Sequence, residues 1–351
     1  MESHPSPEGE LPARRARPTI SQVATLAGVS IKTVSRVINL EPNVKESTAA
    51  KVRETIAALD YHASEQASAL RRSDGRTKTL GLLVGSVANP FTGALHRALE
   101  EVMTQHGIAV FASSLDDDPV REKAAVAAFL RRRVDGLVLT TIAKSQGYLV
   151  IEQERGTPMV FVDREPVGLE ADVVISDNAA GASRGTNHLL SHGHRNIAYI
   201  GDRLEIQTAQ ERRRGFMEAM GSHGIPTSEI TAIDGVHDIA SAQAVVGALM
   251  AGPNPPTAIF SGQNLITIGA LYALKEVGRS SDTALVGFDD IQLADLLEPG
   301  LTVIAQDPAQ IGEAAAERVL ARIEGDRTPP QRIVVPTRLI VRSSGEIPPR
   351  E

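Results

Sequence analysis

The chain has 351 residues, enough for about two or three domains and a large core. Hydrophobic residues make up 42% and charged residues 23%, which excludes global disorder, and the absence of cysteine excludes a disulfide scaffold, thiolate metal sites, iron–sulfur clusters and thiol catalysis. The net charge of −7 argues, taken whole, against a nucleic-acid partner, but it divides into +3 over residues 1–78 and −10 over the rest.

Residues 1–17 are rich in Pro, Glu and Arg and are expected to form a disordered tail. Ile20, Val23, Ala24 and Ala27 then recur at the spacing of one helix face, with Thr19 or Ser21 as the N-cap and Gly28 as the stop. Ser30 caps a second helix whose Val34, Val37 and Ile38 face inward. A third helix over about Ser47–Asp60 brings Val52, Ile56 and Leu59 to close a small core. Two short helices joined by Ala27-Gly28-Val29-Ser30 predict a helix-turn-helix within residues 18–62. The outer face of the second helix carries Ser30, Ile31, Lys32, Thr33, Ser35, Arg36 and Asn39, and Arg14 to Asn39 holds five basic residues and no acid. Such a face fits the DNA major groove, where Lys and Arg read guanine and hydroxyls reach phosphates.

Thr19-Ile20-Ser21-Gln22-Val23-Ala24, Ala27-Gly28-Val29-Ser30 and Thr33-Val34-Ser35-Arg36-Val37-Ile38-Asn39 together resemble the DNA-binding signature of the lac-repressor (LacI/GalR) family. The resemblance implies that Ile31 and Lys32 are the main base readers, with Arg36 a further groove contact. It implies that Ser35 and Asn39 hold phosphates and brace the helix. Thr19, Ser21, Ser30 and Thr33 complete the implied DNA-binding set.

Residues 63–76 read, by composition, as a linker. By the resemblance they include a hinge helix that orders on DNA, in which Leu70 wedges into the minor groove and Ala67 is a small packing residue. The family's usual Pro-Asn is Ala63-Ser64 here.

From residue 77 to about 343, apolar strands alternate with helices. The strands are expected at Leu80–Val84, Ile108–Phe111, Val134–Leu139, Met159–Val162, Val173–Ile175, Ile197–Ile200, Ile230–Ile233, Ala258–Phe260 and Leu285–Val286. The helices are expected at about Phe91–Gln105, Val120–Arg132, Gly147–Glu154, Ala179–Leu190, Ala209–Met220, Ala240–Met250 and Ile266–Glu276. Two successive sets predict two doubly wound α/β subdomains. Asn89-Pro90-Phe91, Val134-Asp135-Gly136, Val162-Asp163-Arg164, Gly193-His194, Arg212 with Gly215-Phe216, and Gly287-Phe288-Asp289-Asp290 resemble the type I periplasmic-binding-protein core of the same family. That fold implies one lobe of about residues 77–176 and 307–335, another of about 177–306 and 336–343, and a tail over 344–351.

Ligands in open α/β sheets sit beyond the carboxyl ends of strands. The candidates there are Asn89, Phe91, Asp163, Arg164, Gln263, Asn264 and Asp289, with Arg212 opening a helix after Gly201. Their amides, carboxylates and guanidinium groups suit a sugar or related metabolite, with one aromatic to stack on a ring. Many family members carry Asn-Asp at Gln263-Asn264, and a second aromatic at Thr92.

His188 and His192 have the helical spacing of zinc ligands but lack a third ligand nearby in sequence, so no metal site is assigned. Asp116-Asp117-Asp118 reads as a cap for the helix starting at Pro119. No catalytic constellation, phosphate-cradling loop or cofactor fingerprint occurs. With no signal peptide and no run approaching the ~18 apolar residues of a membrane span, a cytoplasmic chain without membrane contact is expected. The reading is a non-enzymatic, cofactor-free repressor, a homodimer on double-stranded, pseudo-palindromic operator DNA, controlled by a small-molecule effector such as a sugar. The alternative is a solute-binding protein of the same fold.

Overall fold

The computed structural model describes residues 18–39, 41–62 and 76–350. It divides at Thr77/Lys78 into two compact units.

The first unit holds α1 (Ile20–Ala27), α2 (Ile31–Ile38) and α3 (Glu46–Leu59). Of the two candidate caps, Thr19 is the one used. The Gln22 N–H donates to Thr19 Oγ1 (3.3 Å) while the Thr19 N–H donates to Gln22 Oε1 (2.7 Å), so two otherwise unpaired donors are satisfied reciprocally. Gly28 ends α1 with a φ of +66°, where a side chain would be strained. The Ser30 hydroxyl then accepts the Thr33 N–H (3.1 Å) and starts α2. Val23, Ala24, Ala27, Val34, Val37, Ala49 and Val52 are buried together.

The second unit contains two six-stranded sheets. The first has β1 (Thr79–Val84), β2 (Ala109–Ser114), β3 (Gly136–Leu139), β4 (Met159–Val162), β5 (Asp172–Ser176) and β11 (Arg332–Val335), in the order β11-β5-β4-β3-β1-β2. The second has β6 (Ile197–Ile200), β7 (Thr231–Ile233), β8 (Ala258–Ser261), β9 (Ala284–Phe288), β10 (Thr302–Ala305) and β12 (Arg338–Ile340), in the order β12-β10-β9-β8-β6-β7. Every pair is parallel except β10 with β12. Parallel strands need helices on both faces, which explains their continuous apolar runs.

On the first sheet α4 (Pro90–Gln105) and α11 (Pro308–Glu324) share one core, and α5 (Pro119–Arg131) packs in the other with Leu149. On the second, α7 (Asn178–Ser191) and α8 (Gln207–Ser222) share one core and α9 (Ile239–Met250) and α10 (Asn264–Glu276) the other. The architecture is the doubly wound one expected. The chain crosses between sheets after β5, β10 and β11. Two of these crossings are tied together, because Asp177 Oδ1 accepts the Thr337 N–H (2.6 Å) and Arg184 donates to both Asp177 Oδ2 (3.1 Å) and the Thr337 carbonyl (2.8 Å).

Some local expectations need correction. The helix expected over Gly147–Glu154 is a 3₁₀ turn (Gly147–Leu149) followed by the short α6 (Val150–Glu154). The segment expected as a tail is docked. Ser344 and Gly345 are buried, the Thr302 N–H donates to Ser344 Oγ (2.8 Å), and the Ile347 carbonyl is 2.8 Å from His194 Nε2. Pairing with the start of β10 and with a distant histidine has no local sequence signal.

At Gly215 the backbones of α7 and α8 approach so closely that a Cβ would lie 2.0 Å from the Ala179 carbonyl oxygen. Because the obstacle is backbone, it has little room to yield. Gly215→Ala is expected to destabilise the second unit by about 1–3 kcal/mol, the usual range for overpacking. Urea denaturation checks this, and an unchanged midpoint would contradict the packing described.

Candidate functional site

In the first unit, α2 presents Ser30, Ile31, Lys32 and Asn39 to solvent, with Thr33, Ser35 and Arg36 half-buried. No acid lies on α2 itself. Glu41, just beyond it, stands 3.7 Å from Arg36 Nε and partly neutralises that guanidinium, a partner the run ending at Asn39 did not include. Lys32 has no ion pair among the described residues. Asn39 Nδ2 reaches Ser35 Oγ at 3.4 Å near the end of the helix, and Ser30 Oγ lies 2.9 Å from Thr33 Oγ1 at its start. Thr19 is engaged in the cap of α1, and Ser21 is exposed beside it. Ala67 and Leu70 lie outside the described residues.

In the second unit a cleft of about 130 Å³ opens between the two sheets at their carboxyl ends. Asn89, Phe91, Asp163, Arg164, Arg212, Gln263 and Asp289 all line it. Asn264 does not. Buried behind the wall, it donates from Nδ2 to Asn89 Oδ1 (2.8 Å) and so ties one lobe to the other.

Two carboxylates occupy matching places. Asp163 follows β4 and Asp289 follows β9, each with a positive φ (+68° and +71°). Each N–H continues the ladder, to the Val174 carbonyl (3.0 Å) and the Ile304 carbonyl (2.8 Å). The turn aims both side chains out of the sheet and into the cleft; Asp tolerates this backbone better than most residues. Burial raises the Asp163 pKa, the nearby Arg164 and Arg212 guanidinium groups oppose that, and the charges of Asp289 and Asp117 add to it.

Arg212 sits in the second turn of α8, since that helix begins at Gln207 rather than at Arg212. It is buried. Its Nε donates to Asn178 Oδ1 (2.8 Å), its Nη1 donates to the Gly262 carbonyl (2.9 Å) and lies 3.7 Å from Asp289 Oδ2, and its guanidinium carbon is 3.8 Å from the Phe288 ring centre. Arg164 donates to the Thr141 carbonyl (3.1 Å) and to Asp117 Oδ1 (3.0 Å). Asn89 and Gln263 do two jobs. Each caps a helix through its side-chain oxygen, accepting the Phe91 N–H and the Leu265 N–H (both 3.0 Å). Gln263 Nε2 also reaches Asp202 Oδ2 (3.2 Å).

Asp117, Asp202, Arg203, His237 and Gln306 escaped the sequence reading. The triple aspartate reads in sequence as a cap, but only Asp118 caps α5, accepting the Val120 N–H (2.8 Å). Asp117 instead accepts from Arg164 of its own lobe and from Arg203 Nη2 of the other (3.1 Å), with His237 Nε2 at 3.7 Å. His237 Nδ1 lies 2.8 Å from Asp202 Oδ1, and that hydrogen bond raises the imidazole pKa. Gln306 Nε2 donates to Asp289 Oδ1 (2.6 Å). Asp202 and Gln306 could have been found by the rule used for Asp163, since each follows a strand's carboxyl end.

Among the described residues, Arg164 Nε, Arg203 Nε and Gln306 Oε1, at the cleft and its mouth, are buried polar atoms without a hydrogen-bond partner. Buried polar groups are nearly always paired, so these atoms are free to form hydrogen bonds with a bound molecule.

The floor of the adjacent loop depends on Glu122, which is fully buried. Its carboxylate accepts the Ile142 and Ala143 N–H groups (2.6 and 2.7 Å) and the Tyr148 hydroxyl (2.8 Å). Burial, then the Glu122 charge, push the Tyr148 pKa above its usual value. Glu122→Ala would strand three donors and is expected to cost roughly 2–3 kcal/mol. Urea denaturation measures it, and a loss under ~0.5 kcal/mol would contradict the anchoring role.

The His188 and His192 rings lie with centres 4.5 Å apart and planes tilted by 53°, and His194 Nδ1 is 2.9 Å from Thr257 Oγ1. Among the described residues no group of three or more His, Asp or Glu is placed to hold a metal ion. No helix among them is long and apolar enough to cross a membrane.

A helix-turn-helix unit with a donor-rich exposed helix, joined to a two-lobed core with a polar cleft, defines a ligand-responsive DNA-binding regulator rather than an enzyme. Residues 19–64 match the model of bacterial regulatory proteins of the lacI family, and residues 186–345 that of a periplasmic binding protein-like domain. The HTH-type transcriptional regulator PtxS of Pseudomonas aeruginosa is 32% identical over 96% of this chain and 98% of its own length. The crystal structure of the lac repressor dimer bound to operator and the anti-inducer ONPF superposes with a TM-score of 0.81, at 26% identity over 94% of this chain and 99% of that one. A complex of the transcriptional regulator CelR with cellobiose matches at 28% identity and a TM-score of 0.68, over 93% and 100%. The chain belongs to the lacI family of bacterial regulatory proteins.

Proposed function

We propose that this regulator binds double-stranded operator DNA as a homodimer, represses transcription from it, and releases or tightens its hold when a sugar or sugar derivative enters the cleft. The observation that carries this is the joining, in one chain, of an exposed helix rich in donors and free of acids to a cleft that leaves buried donors and acceptors unmatched. Ile31 and Lys32 are assigned to base edges, Arg36 to a further groove contact, Ser35 and Asn39 to phosphates and bracing, and Thr19, Ser21, Ser30 and Thr33 to the surrounding contacts. A homodimer would set two such helices on a pseudo-palindromic site. The lac repressor structure, a dimer on operator, supports that arrangement by likeness.

In the cleft, Asp163, Arg164, Arg212, Gln263 and Asp289 would hold hydroxyl groups, Phe91 would contact a ring face, and Asn89 with Asn264 would sense closure. A ligand alters DNA affinity only through unequal binding to two lobe arrangements. Contacts that cross the cleft, such as Asp117 with Arg203, are suited to that, because a change in the lobe arrangement would lengthen or break them. The segment 63–76 would carry the change to residues 18–62. The CelR–cellobiose complex supports a sugar as the class of ligand.

A thermal-shift screen of the full chain against sugars, sugar phosphates and nucleobases tests the reading. The expected hit raises the Tm of the wild type, leaves Asp289→Ala unmoved and changes affinity for operator DNA. A hit that binds Asp289→Ala equally would overturn the cleft assignment.

A further inference from the structure

The cleft of about 130 Å³ is smaller than the ~300–1000 Å³ of ordinary small-molecule sites. It does not end there. A groove of about 1050 Å³ continues outward from it, and Asp117, Arg164 and Ile206 belong to the walls of both. The partition between the two chambers is the Arg164–Asp117–Arg203 bridge, in which two guanidinium groups share one carboxylate. Arg164, itself over nine-tenths buried, leaves its Nε without a hydrogen-bond partner among the described residues, 3.6 Å from Asp163 Oδ2.

The outer groove differs in character from the inner cleft. Ile142, Val167 and Ile206 give it apolar wall, and Lys123 and Lys144 stand over it. Among the described residues neither lysine is within ion-pair distance of a carboxylate. Lys123 Nζ lies 5.6 Å from the Tyr148 ring centre instead. Of the carboxylates lining it, Asp117 is bridged twice and Glu165 is held by Arg332 Nε (2.7 Å), which leaves Glu205; Glu122 lies behind the Ile142–Ala143 wall with its carboxylate bonded to three donors. A groove with more guanidinium and ammonium than carboxylate attracts anions.

We infer that the effector is a two-part molecule. Its polyhydroxy head fills the inner cleft, and a second unit bearing a carboxylate or phosphate lies in the outer groove against Lys123 and Lys144. The inference rests on the cleft being the effector site.

Calorimetric titration of the full chain separates the two. The ligands are ribose, glucose and cellobiose, set against ribose 5-phosphate, glucose 6-phosphate and cellobionate. At least one anionic member should bind ten-fold or more tightly than its neutral counterpart, and Lys144→Ala with Lys123→Ala should erase that preference. Equal binding of each neutral and anionic pair overturns the outer site; loss of binding in Asp289→Asn then still upholds the inner cleft. Binding that survives Asp289→Asn overturns both. A second arm needs no ligand. The chain has no cysteine, so Ser145→Cys places a single thiol at the groove wall. Relative to their rates with a small free thiol, an anionic methanethiosulfonate should be favoured several-fold over a cationic one, and Lys144→Ala should narrow the difference. Equal or reversed relative rates in the parent would overturn the inference.

Discussion

Arg212→Ala is expected to remove ligand response and to lower the stability of the second unit by about 3–5 kcal/mol, the cost of leaving a buried charge uncompensated. The guanidinium is buried at the junction of α7, the Gly262 turn and the end of β9. Its loss would leave Asn178 Oδ1 and the Gly262 carbonyl without that donor and Asp289 without its nearest cation. Asp163 would also lose a cation that holds its carboxyl down. Chemical denaturation gives the stability and a thermal shift with the ligand gives the response. DNA binding by the folded variant should persist, since Arg212 belongs to the second unit. A variant as stable as wild type, with its ligand shift intact, would contradict the network described.

Lys32→Ala is expected to weaken operator binding by about 1–3 kcal/mol, roughly five- to 150-fold, if the ammonium reads a base edge. Lys32 is exposed on the first turn of α2 and has no ion pair among the described residues, so the loss would fall on binding and not on folding. Arg36→Ala should cost somewhat less, because Glu41 at 3.7 Å already competes for that guanidinium. Fluorescence anisotropy on operator and scrambled duplexes distinguishes the roles. A base reader loses affinity for operator alone, while a phosphate contact loses it on both.

Local chemistry made the first unit legible. The cap at Thr19, the left-handed Gly28, the cap at Ser30 and the apolar spacing each act within four residues. The strands of the second unit were legible for a similar reason, since burial on both faces leaves a continuous apolar run. The cleft was only partly so. Asp163 and Asp289 stood out because they follow strands. Asp117 was hidden by Asp118, whose capping role gave the triple aspartate a sufficient local explanation. His237 lies in a loop before α9, and only the packing of two lobes brings it to Asp117. The docked C-terminal segment was missed likewise, because its partners Thr302 and His194 are far away in sequence.

The charge division also gains a physical meaning. A positive N-terminal part suits a polyanion, while the acidic remainder would be repelled from it. Some ion pairs of the second unit are buried, such as Asp172 with Arg318 and Arg322.

The central claim is that α2 reads DNA sequence, and selection from a random duplex pool tests it most directly. The full chain should enrich a site with two related half-sites. In anisotropy at physiological salt it should bind that duplex at least ~10³-fold more tightly than a scrambled one, and Lys32→Ala should shrink that ratio. Failure to enrich any sequence, or equal affinity for the enriched and scrambled duplexes, would contradict it.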